Sequence, residues 1–140
     1  MTPDGSACAL FVGFGCRRGC PVDELTNLLT QAMQVRGWSM TRLAGLASLT
    51  SKVDEPGLRA LAERLALPLH GFEPHRVQAF DAQLTHRSPM AWRATGCWGV
   101  AEGAALALAH HQTGAARLVV PRVASAQATL AMACHPRFTG

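Results

Sequence analysis

Apolar residues recur along the chain with two different periods, and the alternation predicts strands followed by helices. Residues 7–14 (ACALFVGF) and 43–49 (LAGLASL) are short apolar runs of the kind that form buried strands. Between these runs, apolar residues keep the i, i+3, i+4, i+7 spacing of one helix face. They are Leu25, Leu28, Leu29, Ala32 and Met33. Pro21 suits the first helical position, and Gly37 is expected to end this helix.

The middle of the chain repeats the pattern. Asp54 is a suitable N-cap and Pro56 suits a first turn, so a second helix is expected there. Its apolar face holds Leu58, Leu61, Ala62 and Leu65. Residues 69–72 predict a short third strand. A shorter helix should begin at Pro74, with Val77, Phe80 and Leu84 on one face.

The last third of the chain predicts a loop, a buried helix and a hairpin. Residues 85–96 lack periodicity, and loops of this length are often functional. Residues 98–110 are alanine-rich and apolar on every side, as in a helix packed closely on a sheet. Residues 117–122 and 128–134 predict two closing strands. The whole pattern predicts a single α/β domain with three α/β/α layers around a mostly parallel, mixed sheet.

Composition and charge narrow the class of protein. The chain has 140 residues, enough for one domain, and is 49% hydrophobic but only 16% charged. No apolar run reaches the roughly 18 residues of a membrane helix. The start of the chain lacks the basic residues of a signal peptide, so a cytoplasmic location without membrane association is expected. The net charge of +4 favours anionic partners.

The five cysteines are an odd number, and we expect all of them to be reduced thiols. Cys8 and Cys134 lie in apolar runs and should be core residues. Cys16 and Cys20 are four residues apart, which does not match the spacing of zinc or redox motifs, so no metal site is predicted. Cys16 neighbours two arginines and a helix N-terminus, which suggests a thiol of lowered pKa.

The turn after the first strand combines glycines with two arginines. Gly13, Gly15 and Gly19 would let the backbone approach an anion, and Arg17 and Arg18 would bind a carboxylate or phosphate. The glycine spacing is one residue longer than the dinucleotide fingerprint, and no acidic residue follows at the expected distance. A nucleotide site is therefore disfavoured. A tight turn with two solvated arginines remains an alternative.

Two further segments could contribute to a site. Lys52 lies between a strand and a helix N-terminus, where it would add positive charge or simply be exposed. Residues 85–99 mix basic residues with tryptophans and could clamp a flat anion. The residues concerned are His86, Arg87, Ser88, Trp92, Arg93 and Trp98. Single-stranded nucleic acid would also suit such a mixture, but no RNA-module motif is present, so no nucleic-acid partner is expected.

Glu102 is the only charge in the predicted apolar helix and needs a partner. It could cap backbone N–H groups in the first turn of this helix, pair with an arginine, or act as an acid–base group.

Four stretches together resemble a known family. GFGCRRGC, SKVDEPGL, GVAEGAAL and LVVPRVASAQATLAMA are similar, in order and spacing, to motifs of the cobalamin-biosynthesis family of CobE and the C-terminal domain of CbiG. The resemblance extends from about Leu10 to Ala133. Met90 departs from it, because a smaller aliphatic residue is expected after the Ser-Pro.

The resemblance implies a three-layer α/β domain that acts in vitamin B12 synthesis near the precorrin-5 stage. In long family members this domain follows another one, and the complete protein opens a lactone ring and releases a two-carbon fragment. The present chain is short and is expected to be the stand-alone form of the oxygen-dependent route. The implied partners are a corrin intermediate rich in carboxylates and other enzymes of the pathway, with no cofactor.

The motif loops all follow a predicted strand and precede a helix, so they should meet at the carboxyl edge of the sheet, where ligands bind. The predicted ligand-binding residues are Gly13, Gly15, Cys16, Arg17, Arg18, Gly19, Lys52, Glu55, Ser88, Arg93 and Glu102. A binding or carrier role is the first hypothesis. A hydrolase that uses Glu102 or Cys16 is the second, although no nucleophile–base pair is evident. A subunit that supports a methyltransferase is the third.

Overall fold

A computed structural model describes residues 8–137 and shows alternating strands and helices. The elements are β1 (Leu10–Cys16), α1 (Val22–Gln34), β2 (Leu43–Leu49), α2 (Pro56–Leu65), β3 (Leu69–Phe72), α3 (Pro74–Gln78), α4 (Pro89–Thr95), α5 (Val100–Thr113), β4 (Arg117–Ala124) and β5 (Ala128–Cys134). Single 3₁₀ turns at Met40–Arg42 and Asp81–Gln83 precede β2 and α4. None of the helices in this part of the chain is long and apolar enough to cross a membrane.

The five strands form one mixed sheet in the order β3-β2-β1-β5-β4. The pairs β1–β2 and β2–β3 are parallel, whereas β5 is antiparallel to both β1 and β4. Four strands therefore point in one direction and β5 in the other. This arrangement confirms the expected mostly parallel sheet with an antiparallel end.

Helices cover both faces of the sheet. Successive apolar side chains of β1 point to opposite faces, so both faces must be shielded from water. Leu10, Val12 and Phe14 pack into the core beneath α1 and α2. Phe11 belongs to the second core, which is built around the alanines of α5. The expected three-layer α/β/α domain is confirmed.

The position of α5 depends on a glycine in the central strand. A Cβ atom at Gly13 would lie 2.0 Å from the carbonyl oxygen of Ala101 and 2.5 Å from the backbone nitrogen of Ala105. Residues 101–109 of α5 are all buried, and the small side chains allow this close approach to the sheet. The absence of a side chain at Gly13 therefore allows α5 to pack on the central strand.

Several predicted element boundaries were wrong. The first strand begins at Leu10 rather than at residue 7, and Ala7 lies outside the described residues. Pro21 is the N-cap of α1 rather than its first helical residue. Glu55, not Asp54, is the N-cap residue of α2, because the helix begins one residue later, at Pro56. Asp54 lies 3.8 Å from Arg59 in an exposed ion pair.

The largest local error concerns residues 85–96, for which a loop was predicted. This segment contains α4, whose N-cap Ser88 accepts a hydrogen bond from the Ala91 N–H at 3.1 Å. Helix α5 also begins later than expected, at Val100, and β4 extends to Ala124. Cys8 and Cys134 are buried, as expected.

We predict that Gly13→Ala destabilises the protein by about 3 kcal/mol or more, because the new methyl group would meet backbone atoms that cannot rotate away. The matched control is Gly37→Ala, where φ is +69° and no atom lies within 4 Å of the new Cβ. The free energy of unfolding of the control should fall by only about 1–2 kcal/mol, which is the cost of placing alanine in the left-handed backbone region. Denaturant unfolding of both variants checks this, and equal losses would contradict it.

Candidate functional site

A cleft of about 630 Å³ opens at the carboxyl edge of the parallel strands. It is lined by the end of β1, the loop after β2, the segment around α4, the start of α5 and the β4–β5 hairpin. The hairpin reaches this edge because Cys16 pairs with Ala128 and Ala124 pairs with Thr129. The motif loops were expected to lie together at one edge of the sheet. The ends of β1 and β2 and the start of α5 do lie together there.

The Glu102 carboxylate joins three of these segments. Its Oε1 accepts hydrogen bonds from the backbone N–H groups of Thr85 at 2.8 Å and His86 at 3.3 Å. Its Oε2 accepts from the Thr85 hydroxyl and from the Arg122 N–H at 3.0 Å. Only 1% of Glu102 is exposed. The carboxylate thus holds α5, the chain before α4 and β4 together at one point.

These hydrogen bonds also set the ionisation state of Glu102. Burial alone would raise the pKa of the carboxyl group, but hydrogen bonds from Thr85, Arg122 and His86 act in the opposite direction and together hold the pKa below its ordinary value. Glu102 is therefore an anion whose oxygens are already occupied by protein donors. The carboxylate does bind backbone N–H groups, but these belong to Thr85, His86 and Arg122 and not to the first turn of α5.

The Thr85 hydroxyl has one proton, which it donates to Glu102. The 2.8 Å contact between that hydroxyl oxygen and His86 Nδ1 is then a hydrogen bond in which Nδ1 donates. The half-exposed imidazole of His86 lines the cleft. Glu102 thereby orients His86 through Thr85.

Two other glutamates stabilise the rim in the same manner. Glu24 of α1 accepts hydrogen bonds from the Ser125 hydroxyl and from the Gln127 N–H at 2.6 Å, which fixes the β4–β5 turn. These bonds, that from Ser125 first, lower the pKa of Glu24. Glu55 accepts from the Gly19 N–H at 2.8 Å.

The turn after β1 packs directly against the start of α2. A Cβ atom at Gly57 would lie 2.3 Å from the Cys20 carbonyl oxygen. Gly19 has a φ of +78°, which glycine adopts without strain, and its N–H is taken by Glu55. The two motifs that contain Gly19 and Glu55 therefore stabilise each other at this contact.

The predicted site residues separate into two groups. Those that line the cleft are Gly15, Cys16, Arg17, Lys52, Ser88 and Glu102. Those that the structure places outside its lining are Gly13, Arg18, Gly19, Glu55 and Arg93. Arg18 and Arg93 are exposed side chains, whereas the other three support the surrounding framework.

The expectation of a low-pKa thiol at Cys16 is wrong. Burial raises the pKa of Cys16 to about 11, and the nearby Lys52 offsets this only in part. The charge of Lys52 favours the thiolate, but removal from water disfavours it more strongly. Cys16 is therefore a neutral thiol near pH 7.

Sequence reasoning missed several residues of the cleft. Arg122, Gln127 and Thr129 line it from the β4–β5 hairpin, which was predicted only as a structural pair of strands. Trp98, which the sequence did single out, also lines the cleft and stacks on Trp92, with ring centroids 5.0 Å apart and planes 12° from parallel. The useful sequence feature was Pro121, since proline inside a strand indicates an edge strand or a bulge.

No cluster of three or more histidine, cysteine or acidic side chains within residues 8–137 has the arrangement of a metal site. None of the five cysteines, all of which lie within the described residues, forms a disulfide bond. The prediction that Cys16 and Cys20 hold no metal stays a prediction.

Comparison with known proteins identifies the class. Residues 10–133 match the family model described as cobalamin synthesis G C-terminus, and the chain belongs to this family. More particularly, it is a cobalamin biosynthesis protein of the CobE and CbiG C-terminal type. It is 36% identical to Protein CobE from Sinorhizobium sp over 124 residues, which are 89% of this chain and 79% of that protein.

A solved structure of CobE, a protein from the cobalamin (vitamin B12) biosynthetic pathway, has the same fold. Its TM-score is 0.86 at 41% identity, with 91% of this chain and 90% of that chain covered. A cobalt-precorrin-5A hydrolase from Priestia megaterium is 26% identical over 127 residues. That match covers 91% of this chain but only 32% of the hydrolase.

We predict that Glu102→Gln lowers the free energy of unfolding at pH 7 by about 1–3 kcal/mol, because an amide nitrogen would replace one acceptor among buried donors. The pKa of Glu102 is depressed below 4.5 in the folded protein. The stabilisation by its carboxylate is therefore present above about pH 4.5 and is lost as the pH falls through the lower folded-state value.

The difference in the free energy of unfolding between wild type and Glu102→Gln should accordingly become smaller in acid. Denaturant unfolding at pH 7 and pH 3.5 measures it. Asp54→Asn is the control, since the Asp54 side chain is 89% exposed and its single ion pair should contribute little at either pH. Equal stability of wild type and Glu102→Gln at pH 7, or a difference that widens in acid, would count against this assignment.

Proposed function

We propose that the cleft binds a corrin intermediate of cobalamin biosynthesis through its peripheral carboxylates, and that the protein passes this intermediate between enzymes. The observation that carries the proposal is the division of charge at the cleft. The carboxylate of Glu102 accepts backbone hydrogen bonds, while Arg17, Lys52 and Arg87 line the cleft as cations. A polyanion complements this arrangement.

The shape and apolar surface of the cleft support the same ligand class. Its volume of about 630 Å³ lies within the range usual for small-molecule and cofactor sites. Leu49, Trp98 and Val100 contribute apolar surface. A flat macrocycle with carboxylates at its edge could place its ring on this surface while the acids reach the basic rim.

The step in the pathway is proposed from the family. We assign the bound intermediate to the precorrin-5 stage or one close to it, an assignment that the relative named cobalt-precorrin-5A hydrolase supports. A carrier role is preferred to hydrolysis because Glu102 is engaged with protein donors and Cys16 is a neutral thiol.

We predict that Arg17→Ala weakens binding of a metal-free corrin polyacid by about 10- to 150-fold, the effect of losing one charge-assisted hydrogen bond. Arg18→Ala is the matched control, since the adjacent arginine has the same charge but lies outside the cleft. The control should bind within about threefold of wild type. Absorbance titration of the corrin at low salt measures all three proteins.

Binding by wild type should also weaken as salt rises, because exposed charge pairs are screened. Spectra followed over hours distinguish the roles, since a carrier leaves the bound corrin unchanged and a hydrolase converts it. Loss of affinity in Arg18→Ala equal to that in Arg17→Ala would show that only net charge matters. Failure of wild type to bind the corrin would overturn the proposal.

A further inference from the structure

Arg122 lines the cleft, and its guanidinium Nε is buried without a hydrogen-bond partner. Among the side chains of residues 8–137, Arg122 Nε is the only buried nitrogen or oxygen atom of this kind. Folded proteins pair nearly all such groups, and a buried donor attached to a cation is expensive to leave unsatisfied. The exception therefore requires an explanation, and its position in the cleft suggests a ligand.

The local backbone directs Arg122 to this position. Val120 pairs with Met132 and Val123 pairs with Leu130, so Pro121 and Arg122 of β4 together oppose the single residue Ala131. This extra residue is a β-bulge, a feature that redirects a side chain beside a functional site. Pro121 has no N–H to donate, which suits a bulge on an edge strand.

The bulge also gives the backbone of Arg122 a different partner. Its N–H donates to Glu102 Oε2 at 3.0 Å rather than to a neighbouring strand. The main chain at this residue is thus held by a buried carboxylate, while the Nε atom of the side chain is left unpaired. The network fixes the arginine in place without neutralising it.

We propose that Arg122 is the anchoring residue for one peripheral carboxylate of the bound corrin, a role that rests on the proposed function of the cleft. The Nε–H and a neighbouring Nη–H of a guanidinium form a fork that matches both oxygens of a carboxylate. Such a pair would satisfy the buried Nε atom. It would also fix the orientation of the macrocycle, whereas the exposed Arg17 mainly adds attraction.

The test compares Arg122→Met, which keeps the length and apolar character of the stem, with Arg122→Lys, which keeps the charge but lacks the fork. Both retain the backbone N–H that binds Glu102. The probes are a metal-free corrin polyacid and the same macrocycle with its peripheral acids converted to amides. Affinity is measured by absorbance titration and the Tm of the ligand-free protein by calorimetry.

Arg122→Met should bind the polyacid about 10- to 150-fold more weakly than wild type, and Arg122→Lys should recover only part of that loss. The amide probe should bind wild type more weakly than the polyacid does and should distinguish little between wild type and Arg122→Met. The Tm of ligand-free Arg122→Met should equal or exceed that of wild type, because the unpaired buried donor is removed.

Three results would overturn the inference while leaving the proposed function in place. They are unchanged affinity of both variants for the polyacid, an equal loss of affinity for polyacid and amide, and a clear fall in the Tm of both ligand-free variants, which would indicate a structural arginine. If wild type binds neither probe, the proposed function itself fails.

Discussion

The buried carboxylate of Glu102 is the interaction on which the cleft depends. Four donors from Thr85, His86 and Arg122 surround it, so an anion that would otherwise be costly inside the protein is stabilised there. The arrangement requires α5 to lie close to the sheet, which the missing side chain of Gly13 permits. The hydrogen bonds of Glu102 at the rim thus depend on the close packing of α5 against the central strand.

Acidic and basic residues have different tasks at this edge of the sheet. Glu24, Glu55 and Glu102 each accept hydrogen bonds from backbone N–H groups of the rim, and in doing so they fix loops that have little core of their own. The oxygens of these carboxylates are consequently occupied by protein donors, and the cleft is also lined by the cations Arg17 and Lys52. A modest overall charge therefore produces a locally basic cleft.

The sequence predicted the layers, the sheet and the edge that carries the cleft, because these follow from apolar periodicity and strand direction. The strands β2 and β3 were placed correctly to the residue.

Helix α4 was missed because it is short and buries no residue, so it leaves no periodic pattern despite the Ser88 cap. The packing role of Gly13 was not foreseen, because helix packing and ligand approach both require the absence of a Cβ atom. Arg122 was missed because a bulge depends on pairing with β5, which no local pattern reveals.

The ionisation states around the cleft bear on what it can do. A general acid or base must exchange a proton near the working pH, which requires a pKa close to that pH. Hydrogen bonding shifts the pKa of Glu102 downward, away from neutrality, and burial shifts that of Cys16 upward to about 11. Each group is thus confined to one protonation state around pH 7, the carboxylate and the thiol. Hydrogen bonding and burial, which hold the rim of the cleft together, thus also fix the protonation of the two acid–base candidates that the sequence had named.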